Sequence, residues 1–193
     1  MNPKRIILAS GSPRRKEILE MAGFSPIIKK PNFDEEMINE KNPAKLVETL
    51  SEGKAKAIIE ECEPGDMIIT ADTIVCLDKV ILGKPKTKKQ AFEMLRMLAG
   101  KKHYVYTGVT ITYIKKNKTI TKTFSEKTEV SIGDMTNCQI HKYIDSGEPM
   151  DKAGAYGIQG SFCKHVEGIK GDYYNVVGLP IYRVSETIRE LSK

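Results

Sequence analysis

Apolar positions along this chain alternate between two rhythms. Residues 5–9, RIILA, form a short apolar run that reads as a buried strand. The spacing then changes. Ile18, Leu19 and Ala22 share one helical stripe, Ser12 stands where a cap belongs, Pro13 suits the first helical position, and Gly23 ends the pattern. Residues 26–42 keep no period and read mostly as loop, with four acids in NFDEEMINE. Asn42 and Pro43 open a second helix whose stripe is Leu46, Val47, Leu50, Ala57 and Ile58. MIITADTIVCL, residues 67–77, is apolar almost throughout and predicts a strand; Asp78-Lys79 turns it into VILGKP as a hairpin.

The second half repeats these signals. Thr87 and Gln90 have capping-box spacing for a helix through Leu98, which Gly100 stops. Residues 103–114 and 119–132 predict two long strands joined by a turn at KKNK. Thr136 and Gln139 form another capping box, before a helix with Ile140, Tyr143 and Ile144. Residues 147–180 are glycine-rich with short β-like pieces, and a helix from Pro180 carries Ile181, Val184, Ile188 and Leu191 in phase. Strands come both in hairpins and beside helices, so the pattern predicts an α/β fold with a mixed sheet. No internal repeat or linker divides the 193 residues, which read as a single domain spanning 1–193.

Composition narrows the functional classes. Lys and Arg number 31 against 25 Asp and Glu, a net charge of +6 that favours anionic partners. No apolar stretch is long enough for a membrane span, and the run after Lys4-Arg5 is too short for a signal peptide. A soluble cytoplasmic protein is expected. Cys62, Cys76, Cys138 and Cys163 form no CxxC, and with His103, His141 and His165 they complete no zinc pattern. Reduced thiols in a reducing compartment are the plain reading.

Four features resist a purely structural account. Asp72 lies inside IITADTIVC, where a carboxylate is expensive to bury without a cation or several donors. It either caps a bulge or faces out from an edge strand, or it serves as metal ligand, general base, or both. Lys54 borders the stripe of the second helix; it either snorkels outward or points in and needs an anion. Arg14 and Arg15 occupy a first helical turn, where the dipole repels cations unless an anion docks there. SGSPRRKEIL therefore reads either as an exposed basic turn or as an anion-holding corner. Lys84 in LGKP sits in a Gly-Pro turn that fails the Walker A pattern. Glu35, in the acidic loop, reads by itself as a solvated acid. AGAYGIQG lacks the GxGxxG spacing, yet Gln159 could read a base edge. The lysine runs at 86–89, 101–102 and 115–118 read as solvated surface.

LASGSPRRKEIL, Asp34-Glu35, LSEGKAKAI, ADTIV, LGKP, YTGVTI, DKAGAYGIQG and NVVGLPI follow one another from residue 8 to 181. In that order they resemble the Maf family of nucleoside triphosphate pyrophosphatases. The resemblance implies an elongated mixed central sheet flanked by helices, with two lobes and a cleft, as in inosine-triphosphatase-like folds. It implies hydrolysis of a nucleoside triphosphate between the α and β phosphates, a divalent metal cofactor (Mg²⁺ or Mn²⁺), and a homodimer.

By the same resemblance, Asp72 is the proton acceptor, Glu35 and Asp72 hold the metal, and Ser10, Arg15, Lys54 and Lys84 line the phosphate path. Arg14, Thr73 and Gln159 match the branch acting on dTTP and UTP. Gly53 departs from the family pattern, where a better helix former usually stands, and is expected to loosen the placement of Lys54. Two other functions remain open: a pyrophosphatase for modified or purine nucleotides such as 7-methyl-GTP, or a regulatory, nucleic-acid-binding protein linked to septum formation. The basic residues lie beside acids and no RNP-like aromatic signature occurs, which speaks against nucleic acid.

Overall fold

The computed structural model describes residues 3–35 and 38–193; Glu36 and Met37 of the acidic loop lie outside the described residues. The first apolar run forms β1 (Arg5–Ala9), followed by α1 (Pro13–Met21). Ser12 occupies the N-cap position but makes no side-chain cap bond, and Gly23 follows the helix with φ +83°. Ile18 and Leu19 are buried as expected, whereas Ala22 is exposed.

Part of the expected 26–42 loop is a strand instead, β2 (Pro26–Lys29), parallel to β1 with Ile6 opposite Pro26. It is a four-residue edge strand with Ile27 and Ile28 exposed. Such a strand is held by backbone pairing and leaves no alternation to read.

The second helix is α2 (Pro43–Ile58), and the Asn42 side chain accepts from the amides of Ala44 and Lys45. Its buried face is Val47, Leu50, Ser51, Lys54, Ala55 and Ile58. The expected stripe was rotated: Leu46 is half-buried and Ala57 exposed. The next strand is β3 (Asp66–Leu77), parallel to β1, with Arg5 opposite Asp66. Asp78 and Lys79 both take positive φ, 47° and 73°, and turn β3 into the antiparallel β4 (Val80–Leu82).

The helix α3 (Lys88–Leu98) carries half of its expected capping box. Thr87 accepts from the Gln90 amide, but the Gln90 side chain accepts from the Lys86 amide. The long strands are β5 (Lys102–Lys115) and β6 (Lys118–Ile132), and α4 (Asn137–Asp145) has the complete box. The glycine-rich segment is largely 3₁₀ turns rather than strand, apart from β7 (Val166–Lys170), which pairs antiparallel with β6. A short α5 (Tyr173–Val177) precedes the closing α6 (Ile181–Ser192).

Among the described residues these strands make one seven-stranded mixed sheet in the order β2-β1-β3-β5-β6-β7, with β4 on β3. The mixed α/β expectation therefore holds.

The chain divides into two compact units. The first comprises Met1–Asp72, Thr107–Glu126 and Gly178–Lys193. One of its cores joins Ile7, Ala9, Ile58 and Ile68, so α2 is packed on β1 and β3. The second unit comprises Thr73–Tyr106 and Lys127–Val177. Its core gathers Leu95 and Leu98 of α3, Ile140 and Ile144 of α4, Val130 and Ile132 of β6, and the rings of Tyr143, Tyr156 and Phe162.

Candidate active site

In the first unit, Asp72 and Lys54 meet. The Lys54 Nζ donates to Asp72 Oδ1 and stands 2.8 Å from Glu35 Oε1. The Lys54 and Asp72 side chains are 10% and 12% exposed, while Glu35 is 51% exposed. The placement of both side chains follows from these contacts. Lys54 points inward, and Asp72 lies on a strand flanked on both sides rather than on an edge. An ammonium that has lost most of its water is balanced by one buried and one half-solvated carboxylate.

Three local features hold Lys54 in place. Ser51, one turn earlier on the same face of α2, bonds through Oγ with Thr110 Oγ1 at 2.8 Å. Thr70, two residues before Asp72 on β3, donates to the Ser51 carbonyl at 2.7 Å. Gly108 of β5 lets the helix approach closely, because a Cβ there would lie 2.2 Å from the Val47 carbonyl oxygen. Period-two geometry places Thr70 and Asp72 on one face of β3. The hydroxyl that anchors the helix and the carboxylate that meets its lysine therefore point the same way.

The corner after β1 is organised around Ser10. Its buried Oγ accepts from the Ser12 amide at 3.2 Å and from Arg15 Nη1 at 3.0 Å. Arg15 also donates through Nε to the Gly178 carbonyl at 2.8 Å. Desolvation lowers the Arg15 pKa from its ordinary value; the Asp72 charge opposes this, Arg14 reinforces it, and Glu35 opposes it. Each of these groups is close enough for its charge to be felt. Ser10, Arg14, Arg15, Glu35, Lys54 and Asp72 thus form one electrostatic neighbourhood.

Thr73, Lys84 and Gln159 belong to the second unit. Thr73 is half-buried on β3; Lys84 and Gln159 are exposed. The Gly154 amide donates to the Gly83 carbonyl at 3.0 Å, which ties the segment before Lys84 to the loop that carries Gln159.

The carboxylate pair fits a hard divalent ion. Glu35 and Asp72 present oxygen donors to a common cation, Lys54 Nζ. Among the described residues no cluster of three or more His, Cys, Asp or Glu side chains is arranged to hold a metal without help. Mg²⁺ and Mn²⁺ accept such sparse sets, one or two carboxylates completed by water and phosphate oxygens.

Several contributors left little trace in the sequence. Gly178 acts through its carbonyl, and Ser51 and Thr70 looked like ordinary polar residues of a helix and a strand. Gly53 leaves room for a ring rather than loosening Lys54. A Cβ at Gly53 would lie 2.2 Å from the Phe33 side chain.

The sequence pattern of the Maf-like protein family matches residues 5–191. A protein of Agathobacter rectalis named dTTP/UTP pyrophosphatase is 48% identical, over 97% of this chain and 97% of that one. Bacillus pumilus has a protein of the same name, 48% identical over 97% of this chain and 95% of its own. A third, from a Geobacillus species, is 47% identical over 98% of each chain. Among solved structures, the Staphylococcus aureus Ham1 protein aligns over 84% of this chain and 80% of its own, with 15% identity and a TM-score of 0.47. With its pattern matched from Arg5 to Leu191, the chain belongs to the Maf-like protein family.

Proposed function

We propose that this protein hydrolyses nucleoside triphosphates, dTTP and UTP foremost, to the monophosphate and pyrophosphate. The observation that carries the reading is the meeting of Asp72, Glu35 and Lys54 beside the Ser10–Arg15 corner. The names of relatives about half identical over nearly their whole length support the substrate.

In this reading Ser10, Arg14, Arg15, Lys54 and Lys84 bind the triphosphate, whose charge of roughly four they offset. Glu35 and Asp72 would hold a Mg²⁺ or Mn²⁺ ion, which when bound supplies charge neutralisation at the phosphates. Asp72 takes the proton of the attacking water as its oxygen bonds to the α phosphorus. The bond between that phosphorus and the α–β bridging oxygen breaks, and pyrophosphate leaves with the electron pair. Lys54 orients the Asp72 carboxylate, and Arg15 stabilises charge on the phosphates. Arg14, Thr73 and Gln159 choose the base. Four free cysteines support a reducing, cytoplasmic setting. No helix among the described residues is long and apolar enough to cross a membrane.

The test is pyrophosphate release from a panel of nucleoside triphosphates with Mg²⁺ or Mn²⁺. The wild type is expected to prefer dTTP and UTP. Asp72→Asn and Glu35→Gln should each lower the rate by about 10²-fold or more. Full activity in either variant removes that residue from its role, and a preference for 7-methyl-GTP overturns the pyrimidine assignment. Gln159→Ala should blur base choice, seen as a smaller ratio of kcat/KM between UTP and CTP, with little change in kcat.

A further inference from the structure

Glycine in a helix interior is unfavourable, because it surrenders more backbone freedom than alanine. Gly53 nonetheless stands in the last third of α2, directly before Lys54. Its surroundings give the reason. A Cβ built there would lie 2.2, 2.4 and 2.9 Å from three carbons of the Phe33 ring. No real packing tolerates such distances, so the half-buried ring occupies the space that every other residue type would fill.

Phe33 is two residues before Glu35 in the same loop, and Gly53 is one residue before Lys54. The seat of the ring and the contact between Glu35 Oε1 and Lys54 Nζ, at 2.8 Å, are therefore adjacent at both ends. Half-exposed glutamates on loops ordinarily gain little from a single ion pair, because ordering the side chain offsets most of the attraction. The loop needs a second anchor to bring that carboxylate to α2, and the apolar ring on a bare stretch of helix supplies one.

We propose that Phe33, seated on Gly53, is a positioning residue that holds the Glu35 carboxylate at Lys54 and Asp72. The inference rests on the pyrophosphatase reading only for its kinetic consequence; the seating itself is measurable without substrate. Neither residue carries a group able to transfer a proton or bind a phosphate or metal. Gly53 costs the helix some stability and leaves the space in which the loop docks.

Four forms of the full chain test this: wild type, Gly53→Ala, Phe33→Ala and the double variant. Cleavage after Asp34 and Glu35 by a Glu/Asp-specific protease, with no nucleotide present, reads loop docking. Thermal unfolding reads stability. Rates on UTP across a Mn²⁺ titration read function.

Gly53→Ala should unfold at or above the wild-type temperature yet be cleaved faster. Its kcat should fall about tenfold or more, and its half-activating Mn²⁺ concentration should rise. Phe33→Ala should behave alike in cleavage and rate, whereas Phe33→Tyr should retain wild-type values. In the double variant the alanine at position 53 should add no further loss, since the ring it displaces is gone.

Wild-type protection and wild-type rates in Gly53→Ala would overturn the proposal, as would losses that simply add in the double variant. Altered cleavage in a protein whose wild type releases no pyrophosphate would sink the functional reading and leave the docking intact.

Discussion

An ammonium on the inner face of a helix loses several kcal/mol of hydration unless carboxylates meet it. That makes the Lys54–Asp72 contact a liability as well as a tool. Asp72→Asn is expected to do two things: stop pyrophosphate release and lower stability by about 3 kcal/mol, since among the described residues it leaves the half-exposed Glu35 as the one carboxylate paired with Lys54. Replacing the pair together, Lys54→Met with Asp72→Leu, should restore the urea midpoint to near wild type while the enzyme stays inactive. Recovery of activity in that double variant would exclude both residues from the chemistry. At this scale the sequence was legible wherever a charge broke an apolar pattern, as at Asp72 and Lys54. It was silent at Glu35, one acid of several in a loop, and misleading at Gly53. The partner that explains that glycine, Phe33, lies 20 residues earlier in an aperiodic segment.

Elements bring these residues together by close backbone approach. α2 lies against β5 at Gly108, where a Cβ would meet the Val47 carbonyl carbon at 2.3 Å and the Glu48 amide nitrogen at 2.7 Å. Backbone atoms cannot rotate away as a side chain can. Gly108→Ala should therefore shift α2 and cost about 1–3 kcal/mol, measured by urea unfolding. It should also lower kcat, because Lys54 moves with the helix. A fully stable, fully active Gly108→Ala would mean that the sheet flexes to accommodate the methyl. The start of α2 could be read from Asn42 and Pro43, because caps are local chemistry. Its buried face could not. The polar residues Ser51 and Lys54 are buried where Leu46 and Ala57 were expected, since hydroxyl and carboxylate partners on β3 and β5 outweigh apolar periodicity. β2 was missed for a related reason, being a strand defined by the neighbour it pairs with.

For the whole molecule, two groups in different units contribute to acid sensitivity. Burial pulls the His103 pKa down to about 4, and its ring is held through Nε2 by the Tyr156 hydroxyl at 2.7 Å. An unfolded histidine titrates near 6.5. Between about pH 6.5 and 4 the unfolded chain thus binds a proton that the folded chain refuses, and stability falls with acidification by on the order of 3 kcal/mol. Asp66 acts in the same direction at lower pH. Its hydrogen bonds from Arg5 keep its carboxyl below the usual range, so stability present above the unfolded pKa is lost as pH falls through the folded one. Unfolding free energies of wild type and His103→Phe from pH 7 to 4 check this. The variant should flatten the upper part of the slope, and an unchanged slope would assign it to other groups.

By itself the sequence determined the mixed α/β class, most element ends and the charged residues out of place in apolar stretches. These depend on near neighbours: periodicity, caps and turns act over a few residues. Tertiary structure alone decided that Lys54 turns inward, that Glu35 reaches it, that the Gly178 carbonyl holds Arg15, and that Gly53 is bare to seat a ring. Each of those depends on atoms far apart along the chain, and the energy of desolvating or overlapping them exists only once folding has brought them into contact.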